Sequence, residues 1–193
     1  MDFIEKQAYF YDNKNNLQYA EIIVSEKKFI GIKSFDENNN PTGYMLIFFH
    51  PNNRLFLDTI YCYDEFRQSG IATKISELAD YLLKDYIGYK IIGEYKPGQL
   101  STDKENNIKR SKEELEKSAR KFYEKNGYKV IKYADYLNNK EMYDYIIADD
   151  FNICENTSNI IVAKKLIEKE YPFTEKDDII YHNNYLRQNI KKL

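Results

Sequence analysis

Four runs rich in β-branched and aromatic residues follow one another between Leu17 and Cys62, and this succession constrains the fold more than any other feature of the chain. They are Leu17–Val24, Phe29–Phe35, Tyr44–Phe49 and Leu55–Cys62, compositions suited to a pleated, half-buried surface. Polar turn clusters separate them: Ser25-Glu26-Lys27, Asn38-Asn39-Asn40-Pro41-Thr42-Gly43 and Pro51-Asn52-Asn53. Short turns between successive strands predict an antiparallel meander. Gln7–Tyr11 is expected to add an edge strand.

The period then changes. Ile71, Ile75, Leu78 and Leu82 recur at helical spacing, which predicts a helix running to about Tyr86 with Gly88 as its stop. A short strand is expected over Tyr89–Tyr95, ended by Pro97-Gly98, and the polar residues 99–110 read as a long loop. Ser111 and Glu114 have the spacing of a capping box, in which each side chain satisfies a backbone N–H of a helix's first turn. Leu115, Ala119 and Phe122 supply that helix's buried face, and Gly127 suits a left-handed stop. Closing strands are expected over Tyr128–Tyr133 and Tyr143–Ala148. Residues 1–150 thus read as one mixed α/β domain. Beyond them, Ile160–Glu170 and Lys176–Ile190 read as helices of a C-terminal extension, 151–193.

Composition narrows the function. With 29 Lys+Arg against 31 Asp+Glu the net charge is -2, so neither nucleic acid nor an anionic membrane is expected as the main partner. Cys62 and Cys154 are far apart, and with only His50 and His182 beside them they form no metal-like spacing; no metal site is expected. Met1–Lys6 carries acid and no apolar run, so no signal peptide is expected, and no stretch approaches the length of a spanning helix. A cytoplasmic protein with reduced thiols follows as the expectation.

Between the strand ending at Cys62 and the helix starting near Gly70 lies Arg67-Gln68-Ser69-Gly70-Ile71-Ala72. A loop entering a helix aims several backbone N–H groups at one point, and the helix dipole adds positive potential there. A glycine at its centre permits close backbone approach. This hexapeptide resembles the Arg/Gln-x-x-Gly-x-Gly/Ala signature of the GNAT family of N-acetyltransferases, which holds the pyrophosphate of coenzyme A. An ordinary strand-to-helix turn is the competing reading of the hexapeptide by itself.

About fifty residues on comes Ala119-Arg120-Lys121-Phe122-Tyr123-Glu124-Lys125-Asn126-Gly127-Tyr128. It is similar to the same family's Ala-x-x-aromatic-Tyr-x-x-x-Gly-aromatic segment. With 19 tyrosines in the chain, Tyr123 alone would read as core packing; its place in a second motif, after the first, is what singles it out. The resemblance covers roughly residues 42–133. It implies a largely antiparallel central sheet flanked by helices, acetyl-CoA as cofactor, an amine as acceptor, and Tyr123 as the acid that protonates the departing thiolate. A tyrosine suits that task because its ordinary pKa of about 10 keeps it protonated at neutral pH.

The resemblance also gives Cys62 a main-chain role: at its position a backbone N–H bonds the thioester oxygen, and the thiol itself reads as structural. Some relatives carry a glutamate four residues earlier as general base. Asp58 stands there, and on a regular strand i and i+4 share a face. A solvated or salt-bridged surface carboxylate is the equal alternative. Glu94, an acid within the apolar run Ile91–Tyr95, is the rival base, or the partner of a nearby lysine. Two departures stand out: Glu116 occupies the place of an asparagine that contacts the pantetheine arm, and the two early helices that shape the acceptor site are not found. Three functions remain open: an active N-acetyltransferase on a small-molecule or peptide amine, a catalytically silent CoA-binding module, and a toxin-like acetyltransferase of aminoacyl-tRNA. The acceptor's identity and the oligomeric state, a homodimer included, stay open.

Overall fold

A computed structural model describes residues 3–95, 111–144, 146–147 and 160–190. Five strands lead the chain: β1 (Phe3–Tyr11), β2 (Leu17–Ser25), β3 (Phe29–Asp36), β4 (Pro41–His50) and β5 (Arg54–Cys62). Each pairs antiparallel with the next, as the alternating runs and short turns predict. The β1–β2 turn is built by Asp12, whose Oδ1 accepts from the backbone N–H groups of Lys14 and Asn16, both at 2.8 Å. Such side-chain mimicry of a backbone turn is what Asx residues do well.

Helix α1 (Ile71–Leu82) crosses over to β6 (Lys90–Tyr95), which pairs parallel with β5. The helix stops at Leu82, earlier than Gly88; Gly88 instead takes φ +90° in the following turn and donates its N–H to Leu166. Helix α2 (Lys112–Lys125) begins at the full Ser111–Glu114 capping box, and Gly127 beyond it adopts φ +80°. Strand β7 (Lys129–Lys132) follows, then the short helices α3 (Tyr133–Asn138) and α4 (Lys140–Tyr143). The strand expected over 143–148 is therefore absent among its described residues, with Tyr143 closing α4 and Ile146 and Ile147 in a turn. The loop expected over 97–110 lies outside the described residues.

The C-terminal stretch corrects the sequence reading most. Ile160–Lys165 is strand β8, Phe173–Lys176 is β9, Ile179–His182 is β10, and among the described residues of this stretch only Asn183–Asn189, α5, is helical. All three strands join the same sheet, whose order is β7-β8-β6-β5-β4-β3-β2-β1-β10-β9. Residue 150 is thus no boundary of the sheet. β8 lies between β6 and β7 and is buried along nearly its whole length, so its apolar run is continuous and carries no two-residue alternation to mark it as a strand. β1 is likewise no edge: β10 pairs with it in parallel on the side away from β2. The fold class is as the sequence reads, mixed α/β with a largely antiparallel sheet flanked by helices.

The two faces of the sheet differ. On one, Ile71, Ile75 and Leu78 of α1 are fully buried in a cluster with Ile30, Ile32, Met45, Ile47, Leu55 and Leu57. At roughly 2 to 3 kcal/mol for each large aliphatic side chain, this packing fixes α1 in place. On the opposite face, α3 covers Ile92, Ile131 and Ile161 through Tyr133 and Tyr136, and Tyr185 of α5 stacks on Tyr11 and Tyr181. Among the described residues no helix is long and apolar enough to cross a membrane.

Candidate active site

Two irregularities in the sheet build the site. The first is a bulge: Leu46 of β4 pairs with Thr59, but Ile47 pairs with Leu57, so Asp58 is the extra residue of β5. Before the bulge Leu55 and Leu57 face α1; after it Ile60 and Cys62 do. Asp58 and Thr59 both oppose Leu46 and lie on the other face. The expectation that Asp58 and Cys62 share a face is therefore wrong, because the bulge breaks the two-residue period on which it rested.

The second irregularity is a splay. β5 pairs with β6 only over Arg54–Leu57 with Lys90–Gly93. Beyond that, β5 stays with β4 to Cys62 while β6 stays with β8 to Tyr95, and the two strands part. The amide of Tyr63 donates to Thr42 of β4 at 3.1 Å. Successive amides of a strand point to opposite sides, so the N–H of Cys62 is directed away from β4, into the splay.

On the α1 face, the loop after β5 and the first turn of α1 form one wall of a cleft of about 330 Å³, and α2 forms the other. Cys62, Arg67, Gln68, Gly70, Ile71 and Ala72 all line it; Ser69, of the same hexapeptide, is buried beneath. Helix α1 starts at Gly70 without a side-chain cap and with no acid in its first turn, so its positive end stays open to the cleft. Gln68 and Gly70 take left-handed backbone at φ 63° and 85°. The sequence reading left room at Gly70 for an approaching phosphate. That room holds Asn13 of the β1–β2 turn: a Cβ on Gly70 would stand 2.4 Å from the Asn13 side-chain nitrogen, and the Asn13 N–H bonds the Ser69 carbonyl at 2.7 Å.

Arg67 is ion-paired with Asp64 in the same loop. From α2, Ser118, Lys121, Phe122 and Lys125 face the cleft, one row at helical spacing. Asn13, Thr73, Ser118, Lys121 and Lys125 were not singled out by sequence reasoning, which placed Phe122 on the buried face of α2. The spacing of Ser118, Lys121, Phe122 and Lys125, i, i+3, i+4 and i+7, is the signal that carries them. An uncapped helix start facing a row of lysines fits a polyanionic ligand such as the phosphates of coenzyme A.

Cys62 donates its thiol to the Phe66 carbonyl at 3.3 Å. Burial pushes its pKa up to about 11, against the pull of Arg67 and the Ala72 N–H, so the sulfur is a protonated thiol at neutral pH. Tyr123 lies behind the cleft wall, 8% exposed, with its ring 6.3 Å from that of Tyr95 at the end of β6. Burial, helped by Tyr95, pushes its pKa up to about 12. Tyr95 itself is raised by burial and by the charge of Glu116, the residue standing where the resemblance calls for asparagine.

Glu94 pairs with Ile161 and is two residues from Ile92, both on the face opposite α1. The structure therefore brings Asp58 and Glu94 to the same face, one on each strand of the splay, and sets Cys62, the loop and Tyr123 on the other. The Thr59 hydroxyl donates to Asp58 at 3.0 Å.

No protein-family model and no curated protein matches the chain. Among solved structures, an acetyltransferase of the GNAT family from Staphylococcus aureus Mu50 is 17% identical, with 72% of this chain covering 69% of that one at a TM-score of 0.49. The PaiA N-acetyltransferase of Thermoplasma acidophilum, in complex with coenzyme A, is 16% identical over 72% of this chain and 61% of that one, at 0.44. The ribosomal-protein-S18-alanine N-acetyltransferase of Escherichia coli is 9% identical over 76% and 74%, at 0.45. Each is a likeness of fold to an acetyltransferase structure, the first of them of the GNAT family.

Proposed function

We propose that this chain is an acetyl-CoA-dependent N-acetyltransferase that passes an acetyl group to a primary amine of a small molecule or peptide by direct attack in a ternary complex. The observation that carries this reading is the continuity of the cleft with the splay. A positively lined groove on one face ends at Cys62, whose amide points into the gap between β5 and β6, and Asp58 and Glu94 stand beside that gap on the other face.

The chain's own groups divide the work accordingly. The backbone of Arg67–Ala72 and the ammonium groups of Lys121 and Lys125 bind and orient the phosphates. Bound acetyl-CoA supplies an activated acyl group as a thioester. The Cys62 N–H is a fixed donor for an oxygen that gains negative charge, and such preorganised donors lower barriers without reorganising. Asp58 or Glu94 accepts the proton of an amine arriving from the opposite face. Tyr123 holds its hydroxyl proton through the neutral range and gives it to the thiolate that leaves as the amide bond forms.

The burial of Tyr123 behind the cleft, with its raised pKa, favours a second reading, a silent CoA-binding module. One experiment separates the two. Acetyl-CoA is titrated calorimetrically into the wild type and into the double variant Lys121→Glu/Lys125→Glu, and thiol release is then followed over an amine panel. Micromolar binding weakened at least tenfold in the variant, with thiol release, supports the enzyme. Binding without release to any amine supports the silent module. No binding by the wild type overturns both.

A further inference from the structure

The face of the sheet opposite α1 carries, beside the splay, a corner of three tyrosines. Tyr44 of β4 and Tyr61 of β5 are cross-strand partners with ring centroids 5.4 Å apart. Tyr63 stands 5.2 Å from Tyr61 at 85° and 6.4 Å from Tyr44 at 62°. Tyr63 therefore stands steeply against the other two rings, which are tilted 33° from each other, and Tyr44 is 37% exposed. The bulge turns Asp58 to this same face, exposed and held by the Thr59 hydroxyl, its one hydrogen-bond partner among the described residues.

The electrostatics agree with the shape. Burial raises the Tyr44 phenol, and Tyr63, Tyr61 and Asp58 raise it further. Burial resists charge of either sign, so the attraction for a cation rests on the Asp58 carboxylate and on the ring faces. Aromatic faces attract ammonium groups through the ring quadrupole, more strongly where water is excluded. This face already holds one such pair: Lys33, the β3 partner of Tyr44, places its ammonium 4.9 Å over the ring of Phe35.

An ammonium favoured here keeps its proton, whereas the nitrogen that attacks a thioester must lose one. The held nitrogen and the reacting nitrogen are therefore different atoms. Tyr61 and Tyr63 flank Cys62 in the chain, so a group held in the corner borders the splay. We infer that the acceptor is an amine carrying a second, non-reacting ammonium, and that Tyr44, Tyr61, Tyr63 and Asp58 hold that ammonium. The inference rests on the acetyltransferase reading for the reaction and on the corner's own geometry for the binding. It makes Asp58 an anchor and leaves Glu94 as the base.

The test uses the full chain and two probes of equal length, pentylamine, an ammonium at neutral pH, and 1-pentanol, titrated calorimetrically without acetyl-CoA into wild type, Asp58→Asn and Tyr44→Leu. Wild-type urea midpoints in the variants serve as the folding control. Expected is pentylamine binding at least tenfold tighter than 1-pentanol, with most of that margin lost in each variant. Equal binding of the two probes, binding of neither, or a margin that both variants retain overturns the inference. In turnover cadaverine, which carries one ammonium for the corner and a second nitrogen to react, is expected to show a lower KM than pentylamine, and Asp58→Asn to remove that difference; equal KM values in the wild type, or a fall in kcat alike for both amines in Asp58→Asn, overturn it too. If pentylamine binds as expected and no acetyl moves to either amine, the ammonium site stands and the acetyltransferase reading fails.

Discussion

Asp80 of α1 and Lys164 of β8 form an ion pair of 2.5 Å inside the protein, with side chains only 8% and 6% exposed. Lys169 reaches the second carboxylate oxygen at 2.8 Å, and the Lys164 ammonium also lies 4.4 Å over the ring of Tyr128. One carboxylate thus ties the helix behind the Arg67–Ala72 loop to a strand at the far side of the splay. Asp80→Asn keeps the shape but strands the buried Lys164 charge. We expect a loss of about 3 kcal/mol, the usual scale for breaking one side of a buried pair. Urea unfolding of the variant measures it, and an unchanged midpoint would show that the pair contributes nothing.

Gly70→Ala and Gly88→Ala place the same methyl at φ +85° and +90°. At Gly88 nothing lies within 4 Å, so only the left-handed backbone is penalised, by about 1 kcal/mol. At Gly70 the methyl also meets Asn13, which must be displaced from the cleft rim. Acetyl-CoA affinity is expected to fall at least tenfold in Gly70→Ala, about 1.4 kcal/mol, and to stay at the wild-type value in Gly88→Ala. Equal affinities in calorimetry would remove Gly70 from the site.

Tyr123→Phe removes one hydroxyl from a site whose ring packing is kept by Tyr95, Phe122 and Tyr128. A lost general acid lowers kcat by about a hundredfold or more, with acetyl-CoA binding unchanged. Because the hydroxyl's pKa lies near 12, its ionisation contributes no alkaline limb to the rate below 10.0, the ordinary tyrosine value. A wild-type rate in the phenylalanine variant would leave Tyr123 as core packing.

Acid should loosen the C-terminal hairpin first. The Lys6 ammonium, outweighing the opposing effect of burial, lowers the pKa of Glu175 on β9, and Tyr81 also donates to it, at 3.3 Å. Burial raises Glu77 of α1, but His182 and Lys74 outweigh it and the net shift is downward. A depressed carboxylate pKa adds stability that is present above the unfolded value of 4.5 and is lost as pH falls through the folded value. Urea midpoints should therefore drop below about pH 4.5, and Glu175→Gln should flatten that drop. A midpoint in the glutamine variant that tracks wild type at every pH would exclude Glu175 as a contributor.

Much of the candidate site is legible in the chain because its parts are local. The strand to Cys62, the open start of α1 at Gly70, and the capping box and glycine stop around α2 each rest on residues close in sequence, whose short-range geometry does not depend on the rest of the fold. Asp58 shows where that legibility ends. Its residue type and spacing are visible, but its face is decided by how β4 pairs with β5, and one extra residue in that register carries it to the far side of the sheet. Lys121 and Lys125 look like a solvated face until α1 is packed opposite them.

The sequence by itself determined the five-strand meander, the helix α1 with a strand after it, and the two motifs, because periodicity and turn chemistry act over a few residues. Only the tertiary structure decided that Ile160–Lys165 is a central strand, that β10 covers the side of β1 that reads as an edge, and that Asp58 and Glu94 share a face. A segment buried on both sides has no polar face to set its period. Pairing between residues as distant as Gln7 and Ile179 depends on the assembled sheet, to which no local pattern refers.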